Sequence, residues 1–400
     1  MSSSQPNQPD PPNDPPPGSN EPQASHLTTP PSSRPPSAIR KLIATLTGII
    51  LFFALIVMLL TILSLAGAHY WLFDVFANFR FIFAEYLLFA LIIGAIRQKW
   101  FWSTLILVCL MINLAYIAPL YLPPPSPIPP PPEAPIDDEM PEPTPAEQIS
   151  NNATVPTPLK LLHLNVNNQN PNIAAVADYI LSSGADLVFL QEVNYRWIEG
   201  LNNTMEPYEL HTPRPRPDPF GVALFINKNP ENPFILENAT IIDLANLNIP
   251  AIEAHVSVGE QAYAILSVHA HPPLIPTAPS TYTGWMSDIR DKQLRAAYYW
   301  ASQQSNPPII IGDLNATPFS YTMREIMNPV ETEPVLVYSQ QGYGYAPTWP
   351  AQLPYFLRLP IDHCLISPKL QATTRTLGPN VGSDHLPLYV EIIPLPDLEQ

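Results

Sequence analysis

The residues able to do chemistry in this chain sit where apolar runs end. Asn165 closes H-L-N, Glu192 follows D-L-V-F-L-Q, and His269 follows A-I-L-S-V. Asp313 and Asn315 follow P-I-I-I-G, Asp362 opens D-H-C-L-I, and Asp384 with His385 precedes L-P-L-Y-V-E-I. Carboxylates can hold a hard divalent cation through oxygen, and an imidazole beside a carboxylate works as a proton carrier near neutral pH. Such groups suit attack of water on an anionic ester, whose oxygens repel a nucleophile until a cation neutralises them. Taken singly, each has a plainer explanation: G-D-L-N as a turn, Q-E as a helix cap, His269 as a satisfied imidazole in a packed interface. Six plain explanations at six strand ends are together much weaker than convergence on one crevice.

Convergence needs elements that bring strand ends together. From 159 to 400, short apolar runs alternate with helical patterns, notably Ile173 to Ser182 and Trp285 to Gln304. That alternation predicts an α/β domain with central sheets, whose strand ends share a crevice. Leu386, Leu388, Val390 and Ile392 alternate with other residues, which predicts a strand buried on one face. His163 and His363 neighbour the motifs and are assigned to the opposite face of their strands. Gln293 is read as structural, and Trp349 as a rim or packing residue. No internal repeat stands out.

Upstream the composition changes. Residues 1–40 are rich in Pro, Ser, Asn and Gln and are expected to be a disordered tail. Residues 41–122 hold three apolar stretches: Leu42 to about Ala66 without any charge, about Phe79 to Ile96, and about Phe101 to Leu122. They predict three transmembrane helices, with Trp71, Trp100 and Trp102 as interfacial anchors. Arg80 is expected to reach the interface with Glu85 as its local partner. Arg40 and Lys41 precede the first stretch, and Arg97 and Lys99 fill the second loop. By the positive-inside rule the N-terminus is cytoplasmic in a multi-pass plasma (inner) membrane protein, and everything after the third span is extracytoplasmic. Residues 123–158 form a Pro-rich linker with an acidic second half. About 35 residues at roughly 3.1 Å each give it a reach of ~100 Å.

The chain has 54 prolines, 13% charged residues and a formal net charge of −16. Residues 159–400 carry 12 Lys/Arg against 23 Asp/Glu, a net of −11. Such a domain does not hold nucleic acid by bulk electrostatics, although a local basic groove is not excluded. Cys109 and Cys364 lie too far apart in sequence to form a metal motif.

L-V-F-L-Q-E-V-N, I-I-I-G-D-L-N-A-T-P, P-I-D-H and G-S-D-H-L-P, in this order, resemble the signature blocks of the endonuclease/exonuclease/phosphatase superfamily. The resemblance covers essentially all of 159–400. The region with H-Y-W-L-F-D and F-R before the second span resembles a membrane-anchored bacterial branch. The resemblance implies a four-layer α/β sandwich, two face-to-face mixed sheets flanked by helices, preceded here by the three transmembrane helices. It implies divalent-metal-dependent hydrolysis of a phosphate ester, with Mg²⁺ or Mn²⁺. By motif, Glu192 binds the metal with Asn165 close by and Asp384 contributing. Asp313 orients the attacking water, and Asn315 holds a phosphate oxygen. His385 is general base or stabilises the transition state, Asp362 fixes its tautomer, and His269 donates to the leaving group or the phosphate. His271 is a candidate substrate contact. Members of the superfamily cleave DNA, sugar phosphates, inositol phosphates and sphingolipids. S-V-H-A-H-P-P carries a histidine where the abasic-site endonuclease branch has a tyrosine, which with the acidic charge leans away from DNA repair. The expected substrate is a phospholipid head group, a small phosphodiester or a nucleic acid. The competing reading is a catalytically silent, membrane-tethered scaffold of the same fold.

Overall fold

The structure is a computed structural model that describes residues 37–123, 156–229, 233–273, 286–330 and 332–396. The expected tail up to residue 36, and residues 124–155 of the expected linker, lie outside the described residues. The chain divides into two units, residues 1–46 and 47–400. The described part of the first unit is the opening of a helix.

Twelve strands build two six-stranded sheets among the described residues. The first sheet has the order β11 (Leu370–Leu377), β12 (Leu388–Pro394), β1 (Leu159–Asn165), β2 (Leu187–Gln191), β4 (Val222–Asn227), β3 (Tyr208–Leu210). The second has β5 (Phe234–Asp243), β6 (Pro250–Val258), β7 (Gln261–Ser267), β8 (Pro308–Asp313), β10 (Asp362–Ile366), β9 (Val337–Tyr338). β1 and β2 run parallel, as do β7 and β8, and the other pairings are antiparallel. Both sheets are therefore mixed, each with one parallel pair at its centre. A parallel pair needs a crossover. It is supplied between β1 and β2 by α5 (Ile173–Ser183), and between β7 and β8 by α7 (Met286–Ser302).

Alternate residues of the central strands point to different layers. Leu159, Leu161, Phe189 and Leu224 meet Ile252, Ile265, Ile309 and Ile311 in one core between the sheets. Their neighbours Leu162, Leu164, Val188 and Leu190 pack outward on α5 and on α6 (Tyr195–Asn202), with Trp197 fully buried. Leu266, Ile310 and Leu365 do the same against α7 and α8 (Tyr321–Met327). Strands covered on both faces read as continuous apolar runs, which is why K-L-L-H-L-N-V shows no clean alternation. The result is an α/β sandwich of two sheets flanked by helices. Leu388, Val390 and Ile392 of β12 face the inter-sheet core, as their alternation predicts. β5 and β11, at the edges, are half-exposed and gave no apolar run to read.

Before the sandwich come α1 (Ser37–Leu63), α2 (Trp71–Ala77), α3 (Arg80–Ile96) and α4 (Trp100–Ile117). Two helical segments, Ala38–Ala66 and Trp100–Leu120, are long and apolar enough to cross a membrane. A third crossing is available if α2 and α3, bent by 62° at their junction, count as one span. Of the three expected transmembrane helices, two are thus single candidate helices, and the third depends on counting the bent pair as one span. Arg80 is also placed differently from expectation. It is fully buried, with Nη1 3.4 Å from Asn113 Oδ1 and its guanidinium 3.8 Å from the Tyr116 ring centroid. Five residues along a helix turn Glu85 roughly 140° away from Arg80, so the two cannot pair. α2 and Leu120, just past α4, are hydrogen-bonded directly to the sandwich.

Candidate active site

The first sheet brings amides and carboxylates. Asn165 ends β1, and its Nδ2 donates to Glu192 Oε1 at 3.0 Å. Glu192 sits just past β2 with a left-handed backbone (φ 59°), which turns its side chain out of the strand and back over the rim. It does not cap α6: Asn194 does, accepting from Trp197 N–H. Glu192 Oε2 accepts the Asn168 backbone N–H. Asp384, in the turn before β12, accepts from Asn167 Nδ2 at 2.8 Å and Trp349 Nε1 at 3.0 Å. Glu192 and Asp384 thus have amide, peptide and indole partners and, among the described residues, no ion pair with a basic side chain.

The second sheet brings Asp313, Asp362 and His269, and His163 and His385 from the first sheet complete an acid–imidazole network. Asp313 ends β8 and is paired in register with Asp362 at the start of antiparallel β10. Asp362 is fully buried between two imidazoles. His385 Nδ1 donates to its Oδ2 and His163 Nε2 to its Oδ1, each at 2.8 Å. With Nδ1 committed, His385 presents Nε2 to Asp313 Oδ2 at 3.6 Å. His269 Nε2 approaches the same oxygen at 3.6 Å, and Asn165 Nδ2 at 3.3 Å. Three donor-bearing side chains from three strand ends therefore surround one carboxylate oxygen.

Gly312 makes this crossing possible. Its φ of 150° lies in a region that side chains rarely adopt, and a Cβ there would stand 2.0 Å from Val268 O. Gln191, buried beside it, donates to Ser267 Oγ and accepts Asp313 N–H, tying the two sheets together under the site. Asn315 has its backbone N–H on Asp313 Oδ1 at 2.9 Å and its amide on Ala270 O at 2.9 Å.

Burial shapes the electrostatics. It raises the Glu192 carboxyl, reinforced by the Asp384 charge and opposed by Asn165 and His385. It also raises Asp313, although His385 pulls the other way. Asp362 goes down: burial would raise it, but the two imidazoles outweigh burial. Burial alone would lower His385, yet the carboxylates of Asp362 and Asp313 on either side raise it. His269, buried and near His385 and His163, is pushed down to about 3.

Glu192, His269, Asp313, Asn315, Trp349, Asp384 and His385 all line one cavity of about 290 Å³. Glu192 and Asp384 are half-buried carboxylates with neutral hydrogen-bond partners, an arrangement suited to a cation. Their oxygens are hard donors of the kind that Mg²⁺ or Mn²⁺ takes, and Asn165 stands beside Glu192. Asp313, Asp362 and His385 form a second group, with one ligand atom from each within 4.8 Å of the others. There the imidazole already serves as counter-charge between the acids.

Two placements differ from expectation, those of His163 and His271. His163 does not face away: it lies two residues before Asn165, shares its side of β1, and holds Asp362. His363 does face away, bonded to Ala316 O at 2.8 Å. His271 is fully buried, with N–H on Gln293 Oε1 and its ring on the Pro272 carbonyl and against Phe220, outside the cavity lining. Gln293 also reaches His269 O, which bears out its structural reading. Trp349 is at the rim, as expected. Asn167 was missed, because N-V-N-N-Q-N offers no periodicity to single one amide out. Val75, Asn78 and Phe79 also line the cavity, and nothing in their sequence pointed to it.

A family model described as Endonuclease/Exonuclease/phosphatase family matches residues 162–385, more than half of the 400. No curated protein matches the chain. Among solved structures, a D. rerio TDP2 humanized by 14 mutations is 19% identical, covering 59% of this chain and 99% of its own at a TM-score of 0.47. An endonuclease/exonuclease/phosphatase from Bacteroides vulgatus is 15% identical, covering 60% and 99%, with a TM-score of 0.46. The human Nocturnin catalytic domain with bound sulfate is 20% identical, covering 59% and 93%, with a TM-score of 0.44. On the matched span, which holds Asn165, Glu192, Asp313, Asp362 and His385, the chain belongs to the endonuclease/exonuclease/phosphatase family.

Proposed function

We propose that the chain is a membrane-anchored, divalent-metal-dependent hydrolase of phosphate esters. The observation that carries this reading is the pairing, in one cavity, of carboxylates lacking basic partners with a self-compensated Asp–His network. Glu192, Asn165 and Asp384 would hold the cation. When bound, it neutralises the phosphoryl oxygens and so lowers the barrier to attack. Asp313 orients a water and takes its proton as the new oxygen–phosphorus bond forms. His385, oriented by Asp362 and His163, donates from Nε2 to a phosphoryl oxygen, and Asn315 holds another. His269 is placed to stabilise the leaving oxygen as its bond to phosphorus breaks, and the proton of the water ends on that oxygen. His271 serves through the loop that carries His269, unless a substrate opens that loop.

The anchor comprises residues 41–122, with α1 and α4 as spans and the bent α2–α3 pair as a third, and with 1–40 as a tail before it. Residues 123–158 return the chain to the catalytic domain, 159–400, outside the cytoplasm. Arg40, Lys41, Arg97 and Lys99 support a cytoplasmic N-terminus. Large apolar side chains such as Phe52, Leu59, Phe89 and Met111 are exposed on these helices, as lipid contact requires.

The test uses the full chain in detergent micelles with bis-p-nitrophenyl phosphate, DNA and phospholipid as substrates. Cleavage of at least one that needs Mg²⁺ or Mn²⁺ and is lost in Glu192→Ala is expected. If all three survive both metals, the hydrolase reading fails and the silent scaffold stands. A C-terminal alkaline phosphatase fusion that stays inactive in cells would refute the orientation.

A further inference from the structure

The wall of the active-site cavity that no sequence motif announced comes from the anchor. Asp74 on α2 is buried and bonds Arg290 Nη2 at 2.8 Å with Oδ2, while its Oδ1 accepts the Tyr321 backbone N–H. Asn78, at the α2–α3 break, accepts with Oδ1 from both the N–H and the hydroxyl of Thr317, each at 2.9 Å. Thr317 belongs to G-D-L-N-A-T-P, two residues past Asn315 and four past Asp313. The membrane segment is therefore clamped onto the loop that carries the catalytic groups. A buried ion pair and a buried amide, both satisfied across the contact, hold it in one register.

That clamp sets Val75, Asn78 and half-buried Phe79 into the cavity opposite Asp313 and His269. With Leu359, Ile361 and Pro272 they make apolar sides above a polar floor. The cavity, about 290 Å³, is of the size of a small-molecule site and suits a phosphate with a small substituent. From Phe79 the chain turns by 62° directly into α3, whose Leu88, Phe89 and Ile92 are exposed. The apolar wall of the cavity is thus continuous in the chain with a helix whose apolar side chains are exposed, as lipid contact requires.

We propose that Val75 and Phe79 select the substrate, and that it is a phosphoric ester of a membrane amphiphile whose head group enters the cavity while its tails stay in lipid. The inference depends on the hydrolase reading and narrows it to a substrate class. A free phosphate ester shares the chemistry of the floor and lacks the apolar continuation, so specificity separates the two sources.

The experiment compares two probes on the full chain reconstituted in nanodiscs with Mg²⁺. One is bis-p-nitrophenyl phosphate in solution, and the other is phosphatidylglycerol with phosphatidylethanolamine in the same bilayer. Wild type is expected to cleave a lipid phosphoester, and Phe79→Ala to lower the lipid-to-soluble ratio of kcat/KM by about tenfold or more. Phe79→Leu, which keeps an apolar contact, should lower it less, and melting midpoints show whether each variant is folded. If Phe79→Ala does not fold, Phe79→Leu and Val75→Ala carry the same ratio test. Equal losses on both probes, or no change in the ratio, would overturn the role of the wall. Cleavage of the soluble probe with both lipids intact would overturn the substrate class and leave the hydrolase reading standing. Failure on both probes would remove the reading beneath it.

Discussion

The two sheets end at the same rim, where their acids sort into two groups of opposite chemistry. The first contributes Asn165, Glu192 and, before β12, Asp384, whose partners are amides, a peptide N–H and an indole. The second contributes Asp313 and Asp362, which face imidazoles from His163, His269 and His385. In the second group every acid has a proton donor beside it, so its charge is balanced by protein alone. In the first group the hydrogen-bond partners are neutral, and burial raises Glu192 against the more distant pull of His385. The difference supports the proposed division of work, in which the first group would hold a cation and the second would move protons.

Substitutions can break that comparison, beginning with the largest expected effect. Glu192→Ala should remove a metal contribution of several kcal/mol, on the order of a thousandfold in kcat/KM, and weaken cation binding measured by calorimetry. If the variant binds Mn²⁺ as tightly as wild type, the first half is not the metal side. Asp313→Asn and His385→Gln should each cost about 10²–10⁴-fold in kcat while leaving Mn²⁺ affinity close to wild type. A parallel loss of metal affinity would merge the two halves into one. His163→Ala removes one of two hydrogen bonds to a buried carboxylate, worth about 1.5–3 kcal/mol if fully transmitted, hence roughly ten- to a hundredfold. Because His163 lies outside the cavity lining, the loss should appear in kcat with KM retained.

His363 supplies the smallest effect. It shares β10 with Asp362 but faces the other way, and burial pushes its imidazole down to about 4. A depressed folded pKa means that the unfolded chain takes up the proton first. The stability His363 gives is thus complete above its unfolded value near 6.5 and is lost as pH falls towards 4, by at most ~3 kcal/mol. His363→Gln should leave turnover at neutral pH unchanged and make the melting midpoint less steep in acid. A drop in turnover at neutral pH would place His363 in the network with His163.

Much of this was legible because strand periodicity and motif chemistry are local. G-D-L-N and S-D-H name their own residues, and apolar runs mark the central strands that carry them. The edge strands β5 and β11, exposed on one side, have mixed composition and were not read. His163 was misplaced although its spacing of two from Asn165 is written in the chain. A histidine within an apolar run has no visible partner until the fold supplies Asp362, 199 residues on. α2 was read as loop between spans, since seven residues with a central Asp74 carry no periodic signature.

The sequence by itself determined an α/β domain with central sheets, through apolar runs bounded by polar strand ends, and which carboxylates, amides and imidazoles could act; the two-sheet sandwich came from the motif resemblance. It also determined how much of the N-terminal region is apolar enough for lipid, because length and composition set transfer free energy. Only the tertiary structure decided that Asn165 meets Asp313, that Asp362 stands between two imidazoles, and that Asp74 reaches Arg290, 216 residues away. Such pairs form between side chains with no fixed spacing along the chain. Hydrogen bonds and ion pairs are chosen by proximity in the packed layers, and proximity is a property of the fold.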